Sequence, residues 1–119
     1  MKIVIKSWLA VAMFFSAIIV IEYLATTTST TLPYVENVWD KAKHASAFFV
    51  LFVLADTGFE ARSRTLILLL MFYGIHIEVV QYFIPDREFS LLDIVADSAG
   101  LAFGWIFMQI AKRFQKLKG

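Results

Sequence analysis

The chain has 119 residues, 60% of them hydrophobic and only 18% charged, with a mean hydropathy of +0.72. Soluble domains are about 45–50% apolar and need polar residues to cover a large surface, so this composition argues against a soluble monomer and for a membrane protein. The absence of cysteine excludes disulfides, thiolate metal sites and cysteine nucleophiles, and a net charge of +1 provides no field to collect nucleic acid. Two prolines and five glycines leave no low-complexity linker, and residues 1–119 read as one domain.

The first apolar run covers about residues 7–25, behind Lys2 and Lys6. A signal peptide begins in the same way. This run is long, however, carries Glu22 near its end and lacks a small-x-small cleavage site before Thr26. An uncleaved first helix is therefore expected. The Thr-rich stretch from Thr26 to Asn37, with Pro33 inside it, reads as an exposed loop. The second run is the weakest. Its purely apolar part, Ala45 to Ala55, is shorter than the ~20 residues a bilayer requires, so a span needs about residues 39–59. Asp56, Gly58, Glu60, Arg62 and Arg64 read as a polar loop. The third run covers about residues 65–84 and stops at Pro85, where a tight turn, Asp86-Arg87-Glu88, follows. The fourth covers about residues 89–111 and ends in Lys112, Arg113, Lys116 and Lys118.

The expected fold is thus all-α, a bundle of four transmembrane helices with no strand-like alternation. Lys2, Lys6, Arg62, Arg64 and the C-terminal basic group fall on one side, against Lys41, Lys43 and Arg87 on the other. The positive-inside rule places both termini in the cytoplasm. Tyr23, Tyr34, Trp39 and Tyr82 fall where an outer aromatic belt would lie.

Several polar residues sit where a bilayer should reject them. A charge at the centre of a lone span costs ~2.5–3.5 kcal/mol on insertion scales. Asp40, Lys41 and His44 share one stripe; Glu78 with Gln81 and Tyr82 forms a second; Ser90, Asp93, Asp97, Gly100 and Gly104 form a third, by three- and four-residue spacing. Glu78 lies seven residues before Pro85 and Asp97 seven after Ser90, which puts both about 10 Å below the outer end. Gly100 and Gly104, with Ala96 above them, suit close helix packing. Gln81, Ser90 and the glycines are read first as structural glue, and Lys41, Lys43, Glu88 and Glu22 serve equally well as interfacial charges. His76 shares its face with no titratable group on its own helix and reads as a satisfied core histidine. Glu78, Asp93 and Asp97 are the strongest functional candidates, because intramembrane acids mark sites by default.

In order, Asp40-Lys41-x-x-His44, an aromatic-rich span, Glu78-x-x-Gln81, Pro85-x-Arg87, Ser90-x-x-Asp93 and Asp97-x-x-Gly100 make a pattern that resembles the VanZ-like family of small bacterial membrane proteins. The resemblance covers about Trp39 to Gly104. It implies an integral protein of the cytoplasmic (inner) membrane and, through the founding member, a link to low-level teicoplanin resistance and the cell envelope. The family usually has Asn where this chain has Asp97. The change adds an acid four residues from Asp93, where like charges repel and one of the two can be held protonated.

Three functions fit these residues. The first is a ligand site at the outer face formed by Asp40, Lys41, His44, Glu78, Gln81, Arg87, Ser90, Asp93 and Asp97. Arg87 would clamp an anion with its planar fork, and the acids would orient donors or take hydroxyls and amines. Membrane lipids are the partners, with a lipid-linked envelope precursor or a glycopeptide implied by the resemblance. The second is a small intramembrane enzyme acting on a lipid-linked phosphate or sugar. Glu78 and His44 would serve as base and acid and Asp93 would orient the histidine; no Ser-x-x-Lys or Gly-x-Ser-x-Gly signature is present. The third is an accessory subunit, with a homo-oligomer formed through the Gly100/Gly104 face. His44, Glu78, Asp93 and Asp97 are of the right types for a divalent ion. No His-Glu-x-x-His spacing is present, and neither a metal nor a cofactor is assigned.

Overall fold

Long runs of Leu, Ile, Val, Phe and Ala give helices that need little help from capping, and the chain ends them with polar residues. The computed structural model describes residues 4–26, 33–83 and 91–118. Four helices dominate: α1 (Trp8–Thr26), α2 (Pro33–Gly58), α3 (Ser63–Tyr82) and α4 (Leu91–Lys118). Ser7 starts α1 by accepting the Ala10 amide proton on its hydroxyl at 3.3 Å, an N-cap contact. Pro33 occupies the first position of α2, where its missing N–H costs nothing and its fixed φ favours the helix.

The boundaries correct the sequence reading in three places. Pro33 to Asn37, expected in a loop, belongs to α2. Asp56 and Gly58, read as a polar loop although the expected span ran to about residue 59, close the same helix. The fourth helix continues past residue 111 to Lys118. The Asp86-Arg87-Glu88 turn lies outside the described residues. A strand pair was also unexpected: β1 (Val4–Ile5) pairs antiparallel with β2 (Phe59–Glu60), in the register Val4 to Glu60 and Ile5 to Phe59. The Lys6 amide extends it by donating to the Gly58 carbonyl at 2.8 Å. Two residues per strand are too few to show as alternation in a sequence.

α2 is the inner helix. It packs on the other three, and α3 likewise contacts α1, α2 and α4. Phe48, Leu51, Phe52 and Ala55 are buried along a three- and four-residue stripe of α2. Leu66, Leu70 and Ile77 of α3 and Leu101 of α4 close the same core. The outside is apolar as well. Trp8, Leu9, Ile19, Phe72, Leu91 and Phe103 are among many large hydrophobic side chains left exposed, far beyond the patches a soluble monomer tolerates. Among the described residues, three helices are long and apolar enough to cross a membrane: Trp8–Ala25, Ser63–Tyr82 and Leu91–Leu117.

One end of the bundle is tied by several contacts. It holds the β1–β2 pair, the α2–α3 connection and the C-terminal half of α4, where Lys112 Nζ lies 2.9 Å from Asp56 Oδ2. The Asp56 oxygen is buried and off the hydrogen-bond direction, so this contact is an ion pair. Gly100 and Gly104 face α2. A Cβ on Gly100 would overlap the Ala45 carbonyl oxygen, and one on Gly104 would lie 3.1 Å from the Phe52 Cβ. Both glycines thus lie against α2 of the same chain.

Candidate functional site

The end of the bundle away from the strand pair holds the polar residues. α2 brings Lys41 and His44 in its first half, α4 brings Asp93 and Asp97 near its start, and α3 brings Glu78 near its end. Because α2 and α4 run in opposite directions to α3 with respect to these positions, residues far apart in sequence meet at one level. Glu78 and Asp97 are fully buried and Asp93 nearly so.

His44 is the hinge of the cluster. Its Nδ1 lies 2.8 Å from Asp97 Oδ1. With Asp97 ionised, the carboxylate can only accept and Nδ1 carries the proton in this contact. Its Nε2 lies 3.6 Å from Asp93 Oδ2, beyond hydrogen-bond distance. Lys41 Nζ contacts the other oxygen of the same acid, Asp93 Oδ1, at 3.1 Å. One ligand atom each from His44, Glu78 and Asp93 lies within 4.8 Å of the other two. Asp97 Oδ2 is buried without a hydrogen-bond partner and faces α3, where a Cβ on Gly74 would come within 2.7 Å of it.

Five of the expected ligand-binding residues (Lys41, His44, Glu78, Asp93 and Asp97) therefore come together. Gln81 is buried on α3 and its amide donates to the Ala25 carbonyl of α1 at 3.4 Å, which ties two helices. The side chain of Asp40 and the whole of Arg87 and Ser90 lie outside the described residues. Among the catalytic candidates, Asp93 was expected beside the histidine, but it is Asp97 that makes the short contact with His44.

His76 corrects the reading made for it. It is 51% exposed rather than a core residue, and its Nε2 contacts Glu22 Oε1 of α1 at 2.9 Å. The Tyr73 ring stacks on it with centroids 5.8 Å apart. Face arguments within one helix cannot find a partner on another. Two further residues escaped the sequence reading. Gly74 gives Asp97 its place, and its only sequence signal is a position four residues before Glu78, on the same face. Asp56 looked like a loop acid until α2 was seen to extend through it.

A helical bundle apolar outside, with acids and a histidine gathered inside, is the inverse of a soluble bundle and defines a membrane protein. A family model described as VanZ/LLP1 matches residues 3–112, and the chain belongs to this VanZ-like family. No curated protein matches the chain, and no solved structure does.

Proposed function

We propose that this VanZ-like membrane protein binds the polar headgroup of a cell-envelope lipid, or of a related glycopeptide, at the outer face of the bacterial cytoplasmic membrane. Its effect would be on envelope properties, including low-level teicoplanin resistance. One observation carries this reading: Lys41, His44, Glu78, Asp93 and Asp97 converge from three helices at one end of a bundle with an apolar exterior. Acids in such a setting are costly and are usually retained for a ligand. Lys41 and Arg87 would meet an anionic group, and the carboxylates would take hydroxyls or amines.

In this reading α2 is a fourth span and both termini are cytoplasmic. Its 26 residues extend about 39 Å at helical rise, enough to cross. Support for the orientation comes from Lys6, Arg62, Lys112, Arg113 and Lys116, which belong to elements at the end of the bundle opposite the cluster.

The test is native mass spectrometry of the full chain released from membranes, with wild type compared to Glu78→Gln, Arg87→Gln and Asp93→Asn. Retention of a defined envelope lipid by wild type, lost in the variants at normal membrane abundance, is the expected result. Loss of abundance instead of ligand makes these residues structural glue and overturns the reading.

A second reading, an enzyme acting on a lipid-linked phosphate or sugar, is favoured by the 2.8 Å contact of Asp97 with His44. A carboxylate holding Nδ1–H directs Nε2 to act as base or acid. It requires altered lipid-linked products in membrane extracts, whereas a binder leaves the lipid chemistry unchanged.

A further inference from the structure

We propose that His44, Glu78 and Asp93 form a site for one divalent first-row metal ion of the zinc or manganese kind, with Asp97 as the carboxylate that orients the histidine ligand. The inference rests on reading this cluster as a ligand site and names the inorganic part of what it holds.

The first ground is geometry. The three residues come from three different helices, and one ligand atom of each lies within 4.8 Å of the others. The 3.6 Å between His44 Nε2 and Asp93 Oδ2 is too long for a hydrogen bond. It is close to the separation of two ligands that each stand about 2.0–2.2 Å from one tetrahedral ion. The second ground is the histidine's tautomer. With the Nδ1 proton on Asp97, a neutral ring turns the lone pair of Nε2 towards the Asp93 carboxylate. In that tautomer a cation between Nε2 and the carboxylate would take both as ligands. Metal-bound histidines characteristically donate their other ring N–H to a carboxylate in this manner.

The third ground is charge. Among the described residues, the carboxylates of Glu78, Asp93 and Asp97 surround one fixed cation, Lys41. Lys41 engages Asp93 through Oδ1 and leaves Oδ2 to the side of His44. Asp97 Oδ2 is buried with no hydrogen-bond partner. A divalent ion is the kind of charge that several gathered carboxylates attract. One imidazole with carboxylates selects zinc or manganese over magnesium or calcium, which take oxygen ligands alone. The His76–Glu22 pair, with two ligand groups and an open position on the bundle surface, is the natural control.

The experiment uses the full chain in detergent, stripped with chelator and titrated with Zn²⁺ and with Mn²⁺, the bound ion being counted after desalting. One ion per chain is expected for wild type and for His76→Gln. A loss of affinity of about tenfold or more is expected for His44→Gln and Glu78→Gln, and about tenfold for Asp97→Asn, as for other residues that orient a ligand. Should a variant fail to fold, pulsed electron paramagnetic resonance of Mn²⁺ on wild type reads the ligand directly. Coupling to one imidazole nitrogen supports the site. No bound ion with either metal, no nitrogen coupling, or undiminished binding in folded His44→Gln overturns it. Wild type that takes up no ion yet retains envelope lipid would sink the metal and leave the headgroup reading standing. An ion bound without any selective lipid would do the reverse.

Discussion

Asp97 and Gly74 together decide how His44 is held. An asparagine at residue 97 would still offer an oxygen to His44 Nδ1–H and would carry no negative charge. Asp97→Asn is therefore expected to unfold in detergent within a few degrees of wild type. Asp97→Leu leaves the histidine donor unpaired, at a cost of about 1–3 kcal/mol, and a thermal unfolding series of the two variants checks the contrast. Gly74→Ala acts on the same contact from the other side. Its methyl would sit 2.7 Å from Asp97 Oδ2 and 3.3 Å from Phe48 Cζ. A carboxylate can rotate away, so the bundle is expected to fold while the His44–Asp97 contact breaks. Normal membrane abundance with lost lipid retention is the predicted outcome, and unchanged retention would show that the contact does not matter to binding.

At the scale of the helix, small residues and buried charges set how closely elements approach. Gly100 lets α4 lie against the backbone of α2 at Ala45, and a methyl there meets a carbonyl oxygen that cannot rotate away. Gly104 faces mainly the Phe52 side chain and the Phe49 carbonyl at 3.1–3.3 Å, where a small adjustment suffices. Gly100→Ala should therefore reduce membrane abundance strongly and Gly104→Ala only modestly, as measured by immunoblot of washed membranes. The stripe of Asp93, Asp97, Gly100 and Gly104 was legible in sequence because all four belong to one helix and one face. Its neighbour was not. Nothing in the spacing of α4 says that α2, rather than another copy, would lie on the glycines. At the other end of the same helix pair, Lys112 compensates buried Asp56. Lys112→Met leaves that carboxylate without its cation, and a lower unfolding temperature is expected, partly restored by adding Asp56→Asn.

For the whole molecule, the strand pair and the Asp56–Lys112 contact gather the N-terminal strand, the α2–α3 connection and the end of α4 at one pole, while the acids gather at the other. The chain contains no cysteine, so single cysteines can report sidedness without background. Lys6→Cys, Arg62→Cys and Lys116→Cys are expected to react with an impermeant maleimide only after the cells are opened, and Phe83→Cys in intact cells. Labelling of Lys6→Cys and Arg62→Cys from opposite sides would contradict both the strand pair and the proposed four-span topology.

Sequence alone determined the membrane character of this protein, the existence and order of its helices, and the polar stripes on the second, third and fourth of them. Those properties follow from hydropathy and a 3.6-residue period, which act within one element. Glu78, Asp93 and Asp97 could be singled out for the same reason, as acids in apolar runs. Tertiary structure decided what they touch. It gave Asp97 rather than Asp93 the short contact to His44, paired His76 with Glu22 on α1, buried Asp56 against Lys112 and placed Gly74 beside a carboxylate. Each of these pairs joins two helices, and the relative rotation and depth of two helices are set by how their side chains interlock, which no periodicity along a single chain encodes.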